Sequence, residues 1–349
     1  MSDHIIPHSR PSIIGSDIKA VSSVLESGQI AQGPSVDKFE KQFSDFIEKK
    51  ETAATSSGTA ALHLALLSLG VKEGDEVIVP SFVCTAVLNA VLYTGATPFV
   101  ADIDPGTYNI SVDAVKGAIT QKTKAVIVPH MFGCPAEIDE LSNLGIPVIE
   151  DCAQSVGAHY KGRKIGSFGI LSVFSFYATK VFTTGEGGMV VSDSEELISR
   201  VKDLRDYDNK DEYALRFNYK MTDIQASLGS SQLSRLEEFL DRRRMIADSY
   251  FKEFKDCDFS LPARKEGREH IYYRFVAQTE GDASVYLERS QKNNVMCRRP
   301  VYIPLHVCLG LSGYPHTMEA WKKTVSIPLY PSLTKEEIEK IIAVVKEIF

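Results

Sequence analysis

The segment Ser175-Phe176-Tyr177-Ala178-Thr179-Lys180-Val181-Phe182-Thr183-Thr184-Gly185-Glu186-Gly187-Gly188 sets one lysine after an apolar, strand-like run and directly before a Gly-rich turn. A lysine so placed sits at the mouth of a sheet rather than out in solvent. It is the residue type that forms a Schiff base with an aldehyde. Upstream, Pro147-Val148-Ile149-Glu150-Asp151-Cys152-Ala153-Gln154 reads as a buried strand that delivers Asp151 at its C-terminal end. Ligands of open α/β sheets bind outside those carboxyl ends. Further upstream, Ser56-Ser57-Gly58-Thr59-Ala60-Ala61-Leu62-His63-Leu64-Ala65-Leu66 reads as a hydroxyl-rich turn opening an amphipathic helix. The free N–H groups and dipole of such a helix start form a phosphate site.

A lysine for an aldehyde, a carboxylate for a protonated ring nitrogen and a helix start for a phosphate together describe pyridoxal 5'-phosphate. Each piece also has an ordinary reading. Lys180 could be a loop lysine, Asp151 a strand-end acid capping a helix, and Ser57-Gly58-Thr59 a plain N-cap. Their occurrence together, in this order, favours the cofactor. His63, His130 and Cys152 are read as packed residues rather than ligands.

The 349 residues are enough for one large domain and a smaller one. A net charge of −7 and a pI near 5.7 argue against nucleic acid or an anionic membrane as partner. No apolar run reaches the length of a bilayer span. The six cysteines form no C-x-x-C pair, so no metal site is expected, and free thiols fit a cytoplasmic protein.

Helical spacing covers 16–26 and 35–48. Apolar runs at 77–80, 98–101, 125–129, 147–150, 170–176 and 188–191 then alternate with helical stretches. That is the pattern of an α/β fold with a mostly parallel sheet. A long helical stretch over 222–255 links to a strand at 271–277, a helix near 284–293, a Pro-punctuated segment at 300–315 and a last helix at 334–348. The expected organisation is a large cofactor-binding domain over 1–240, with an N-terminal arm, and a small C-terminal α+β domain over 241–349.

Blocks spread along the chain carry a family resemblance. They include Ile6-Pro7-His8-Ser9-Arg10-Pro11, Ser57 through Leu62, Gly74-Asp75-Glu76-Val77-Ile78-Val79-Pro80-Ser81, Glu150 through Gln154, Ser175 through Gly188, and Asn218-Tyr219-Lys220-Met221-Thr222-Asp223. The chain resembles the DegT/DnrJ/EryC1/StrS sugar aminotransferases, which have the fold-type I, aspartate aminotransferase-like architecture. The resemblance implies that Lys180 bears the cofactor and shuttles protons, that Asp151 binds the pyridinium nitrogen, and that Gln154 lies near the ring hydroxyl. It implies that Ser57, Gly58, Thr59 and Ser175 hold the phosphate. Asn218 would reach the phosphate of a neighbouring subunit's cofactor, giving a homodimer with shared sites. The implied reaction moves an amino group from L-glutamate to a keto group of a nucleotide-linked deoxysugar, the cofactor alternating with pyridoxamine 5'-phosphate.

Three positions depart from the family pattern. Cys84 stands where relatives place an aromatic on the cofactor ring, Lys220 where they often carry Arg, and Asp206-Tyr207-Asp208 where many have His-Gly. Arg205, Lys220 and Arg298 are candidates for the nucleotide phosphates, and Tyr302 and His306 for the sugar pocket. The alternatives are a pyridoxamine-dependent sugar dehydratase, which would carry histidine in place of Lys180, and a cofactor-binding regulatory protein, for which no DNA-binding module is visible.

Overall fold

The computed structural model describes residues 4–349. Its centre is a seven-stranded sheet in the order Glu51–Thr55, Gly188–Ser192, Leu171–Ser175, Val148–Asp151, Thr123–Pro129, Glu76–Pro80, Thr97–Ala101. The last five of these run parallel. Gly188–Ser192 is antiparallel to both its neighbours and is the one strand that runs against the rest. The apolar runs of the interior strands are buried, as a sheet covered on both faces requires; Thr123–Pro129 is buried from Ala125 onward.

Parallel pairing puts the carboxyl ends of the strands on one edge. Thr55, Pro80, Asp151 and Ser175 end there, and Gly188 starts there because its strand is reversed. The strands expected in this sheet are present within a residue or two. The edge strand Glu51–Thr55 was not expected. The helix Gly58–Ser68 is not amphipathic, because every residue from Ala60 to Leu66 is buried between the sheet and neighbouring helices.

Residues 222–255 form two helices, Asp223–Leu233 and Leu236–Glu253, separated at Ser234 and Arg235. Thr222 and Gln225 cap the first in a reciprocal box, while Asp223 accepts hydrogen bonds from the amides of Gly33, Ser35 and Val36 at the start of Pro34–Ile47. The second helix is shared between two cores. Leu236, Phe239 and Leu240 pack with the sheet, whereas Ile246, Ala247, Tyr250 and Phe254 pack with Phe275, Val325, Ile341 and Val345. The second core lies under a three-stranded sheet of Phe259–Ser260, Phe275–Thr279 and Thr324–Ile327. The strand expected at 271–277 begins only at Phe275. Before it, Ile271 and Arg274 donate to the carbonyls of Gly133 and Phe132, and Tyr272 takes a left-handed φ of 51°.

Within Val148–Asp151, consecutive side chains point to opposite faces. Glu150 points inward and is fully buried. Its carboxylate accepts from the amides of Gly166, Phe168 and Gly169, from Ser172 Oγ and from His130 Nε2. His130 Nδ1 accepts from Ala136 N, which leaves the proton on Nε2. Burial pushes the Glu150 carboxyl up, but His130 and the loop amides outweigh it and hold it below the ordinary value. Glu150, His130 and Cys152 come close enough to hold a metal, but Glu150 is already committed to these donors. The strand is thereby pinned with Asp151 facing the open edge.

Glu150→Gln should lower stability by about 2–4 kcal/mol at pH 7, since an amide cannot accept from all these donors. The depressed carboxyl contributes stability that is present above its unfolded value near 4.5 and is lost as pH falls through its folded value. Urea unfolding at pH 7 and pH 4 should therefore show the difference shrinking at the lower pH. A constant difference would contradict the ionised state.

Candidate active site

The carboxyl edge of the sheet opens into a cleft of about 290 Å³ lined by Ser57, Gly58, Thr59, Cys84, Asp151, Ser175, Tyr177 and Lys180, among others. Seven residues expected at the site from sequence are thus brought together. Their positions follow from local structure. Lys180 lies on a loop closed by Lys180 N→Tyr177 O at 2.8 Å, Thr184 N→Phe176 O at 2.9 Å and Thr183 Oγ1→Phe176 O at 2.9 Å. These bonds hold the half-buried lysine over the end of Leu171–Ser175.

At the helix Gly58–Ser68, Ser57 is the N-cap, and its Oγ accepts from Ala60 N at 3.1 Å. The amides of Gly58 and Thr59, at the first helical positions, have no intrahelical acceptor. They open to the cleft with the helix dipole behind them. Gly58 presses on Ser175: a Cβ there would stand 2.7 Å from the Ser175 Cβ. Gly188 presses on the same loop, where a Cβ would meet the Ser57 carbonyl oxygen at 2.4 Å.

Asp151 is buried and receives one hydrogen bond, from Ala153 N to Oδ1 at 3.0 Å. No donor among the described residues reaches Oδ2. Burial raises its carboxyl above the ordinary value against the opposing pull of the Ala153 amide, Lys180 and His130. A buried carboxylate with one free oxygen, a lysine opposite it and unpaired amides at a helix start fit the ring nitrogen, aldehyde and phosphate of pyridoxal phosphate.

Other candidates stand elsewhere. Gln154 Oε1 accepts from Phe132 N at 2.9 Å, and its side chain does not line the cleft. Asn218 is exposed on an extended segment pinned by Phe217 N→Leu204 O, Tyr219 N→Arg205 O and Ser56 N→Tyr219 O, beside the phosphate turn. Arg205 is corrected as a substrate candidate: it is buried, with Nη1 bonded to Glu40 Oε1 at 2.6 Å and Ala54 O at 2.7 Å. Lys220 is held by Asp206 and Asp208 at 2.7 and 2.8 Å. His306 is also buried, bonded to Ser81 Oγ through Nδ1 at 2.5 Å and stacked on Tyr314, so it braces a loop rather than lining a sugar pocket. Tyr302 is 85% exposed and outside the cleft. Sequence reasoning missed Tyr273, whose ring lies 5.4 Å from Lys180 Nζ. It comes from a segment 93 residues away, and nothing local marks it.

The fold and the cleft define a pyridoxal-phosphate-dependent transferase. Residues 11–346 match the DegT/DnrJ/EryC1/StrS aminotransferase family, and the chain belongs to it. It is 35% identical over 361 residues to GDP-perosamine synthase of Escherichia coli O157:H7, covering 99% of this chain and 98% of that one. It is also 35% identical to the spore coat polysaccharide biosynthesis protein SpsC of Bacillus subtilis, covering 99% and 97%. Among solved structures, a putative sugar aminotransferase, Spr1654 of Streptococcus pneumoniae in its PMP form, superposes with a TM-score of 0.93 at 30% identity over 99% of this chain and 98% of that one. The same protein in its PLP form gives the same values. The chain is a PLP-dependent aminotransferase.

Gly58→Ala should push the helix start off Ser175 and weaken pyridoxal phosphate binding by about tenfold or more, the worth of a charge-assisted hydrogen bond. A fluorescence titration of the cofactor-free protein measures this, and unchanged affinity would remove Gly58 from the phosphate site.

Proposed function

We propose that this aminotransferase moves an amino group from L-glutamate to a keto group on a nucleotide-linked deoxysugar. The observation that carries the reading is the convergence of Lys180, Asp151 and the Gly58–Thr59 amides on one cleft, in a chain whose relatives include a GDP-perosamine synthase. When bound, the cofactor supplies an aldehyde that carries the amino group and a ring that draws electrons from the reacting carbon.

The protein's part is to hold and to move protons. Asp151 would hold the ring nitrogen, whose cation would offset the cost of the buried carboxylate. The Gly58 and Thr59 amides and the Ser175 hydroxyl would hold the phosphate. Lys180 Nζ would hold the aldehyde end of the cofactor and would take up and return a proton at the substrate carbon. Cys84, exposed at the cleft wall, would offer a thiol to the ring, whereas Phe82, the other candidate for covering it, is fully buried.

Asn218 points outward beside the phosphate turn, which supports a homodimer in which it completes the partner's phosphate site. In this reading residues 1–240 carry the cofactor and 241–349 form the smaller domain, with Leu236–Glu253 spanning the two. No helix of the described residues is long and apolar enough to cross a membrane, and the six free cysteines are consistent with a reducing cytoplasm.

The test supplies the protein with pyridoxal phosphate, L-glutamate and a panel of nucleotide-linked 3-keto and 4-keto deoxysugars, and measures 2-oxoglutarate together with the aminated sugar by mass. One sugar should be aminated in step with 2-oxoglutarate, and Lys180→Ala should abolish both. Amination of other ketones but none of these sugars would overturn the substrate class. Separately, Asn218→Ala should lose cofactor on gel filtration while still eluting as a dimer. Full retention would count against the shared site.

A further inference from the structure

Three cations surround one buried ring. Tyr273 is 5% exposed, and Lys180 Nζ, Arg274 Cζ and Arg243 Cζ lie 5.4, 5.2 and 5.9 Å from its ring centroid. Among the described residues, none of the three cations forms an ion pair with Asp or Glu. Arg243, on Leu236–Glu253, gives Nη1 to the carbonyls of Tyr272, Tyr273 and Leu329, and its Nε has no partner. Arg274 Nη1 bonds the ring of His8 from the N-terminal segment. His8, Arg10, Lys180, Arg243, Tyr273 and Arg274 share the lining of a chamber of about 20 Å³ beneath the lysine, room for a single water. Asp151 acts on Lys180 from the strand end, on the sheet side of the cleft.

Arg243 is buried and Lys180 and Arg274 are half-buried, and with no carboxylate paired to any of the three this positive charge calls for another source of negative potential. The π face of an aromatic ring supplies it. The same residue also reaches the lysine's neighbour, because Tyr273 OH lies 3.4 Å from Thr179 Oγ1. Tyr273 is fixed in this place by the Ile271 N→Gly133 O and Arg274 N→Phe132 O bonds on either side of it.

We propose that Tyr273 is a positioning residue for Lys180, its ring face holding the lysine ammonium and its hydroxyl bracing the adjacent Thr179 whenever the amine is not attached to the cofactor. This rests on the reading of Lys180 as the cofactor-bearing lysine. A free lysine must stay within reach of the reacting carbon and keep a transferable proton, and a ring that attracts the ammonium does both. Burial pushes the Tyr273 phenol up, but Lys180, Arg274, the Thr179 bond and Arg243 outweigh it and bring it down to about 8. As pH rises through that value the phenol ionises and its attraction for the ammonium grows.

Competitive acetylation of the full-length, cofactor-free protein from pH 6 to 10, read by mass spectrometry against exposed Lys335, reports the midpoint at which Lys180 becomes reactive. Tyr273→Leu should lower that midpoint by about one pH unit, because the ammonium then faces Arg243 and Arg274 without the ring. Tyr273→Phe keeps the face and loses the hydroxyl, so its midpoint should fall between the other two. A change in access alone alters the final rate and leaves the midpoint in place. Identical midpoints in wild type and Tyr273→Leu, or a higher one in the variant, would overturn the proposal. Pyridoxal phosphate should protect Lys180 in the wild type. Loss of that protection would instead defeat the assignment of Lys180, whatever the variants show.

Discussion

Glu150 is an ionised carboxylate without access to water, and five donors on separate pieces of chain converge on it: three amides of 166–169, Ser172 and His130. An unpaired charge in that place would cost several kcal/mol, so the strand cannot rotate or slip by one residue. Because side chains alternate along a strand, fixing Glu150 inward fixes Asp151 outward. Asp151 is therefore placed by its neighbour's hydrogen bonds and needs few of its own, which leaves one of its oxygens free on the cleft side.

The rest of the cleft is built from close approaches that only small residues permit. Gly58 against Ser175 and Gly188 against the Ser57 carbonyl bring three chain segments to the same point. Reversal of the strand Gly188–Ser192 contributes, because it delivers a glycine at its start where the parallel strands deliver their ends. Buried Arg205 bridges Glu40 and the Ala54 carbonyl, tying the helix Pro34–Ile47 to the strand that leads into the phosphate turn. The charges of the site are then divided: an acid on the sheet side, and cations gathered around Tyr273 on the other.

The elements that line the cleft were legible in the sequence because each depends on local pattern. An apolar run ending in an acid gave Asp151, one ending before a lysine and glycines gave Lys180, and a hydroxyl-rich turn before a helix gave Gly58 and Thr59. Legibility ended where partners come from far along the chain. Arg205 read as a free cation, but its carboxylate lies 165 residues earlier at Glu40. His306 read as a pocket residue, but Ser81 claims it across 225 residues. The strand Glu51–Thr55 is short and begins with an acid, so its pairing with Gly188–Ser192 left no clear alternation. The break at Ser234 and Arg235 carries neither Gly nor Pro to announce it.

The most direct test of the central claim is borohydride reduction of the pyridoxal-phosphate-loaded protein followed by peptide mapping. A single modified peptide, with the cofactor mass on Lys180, is the predicted result. The cofactor on another lysine, or on none, would contradict the account.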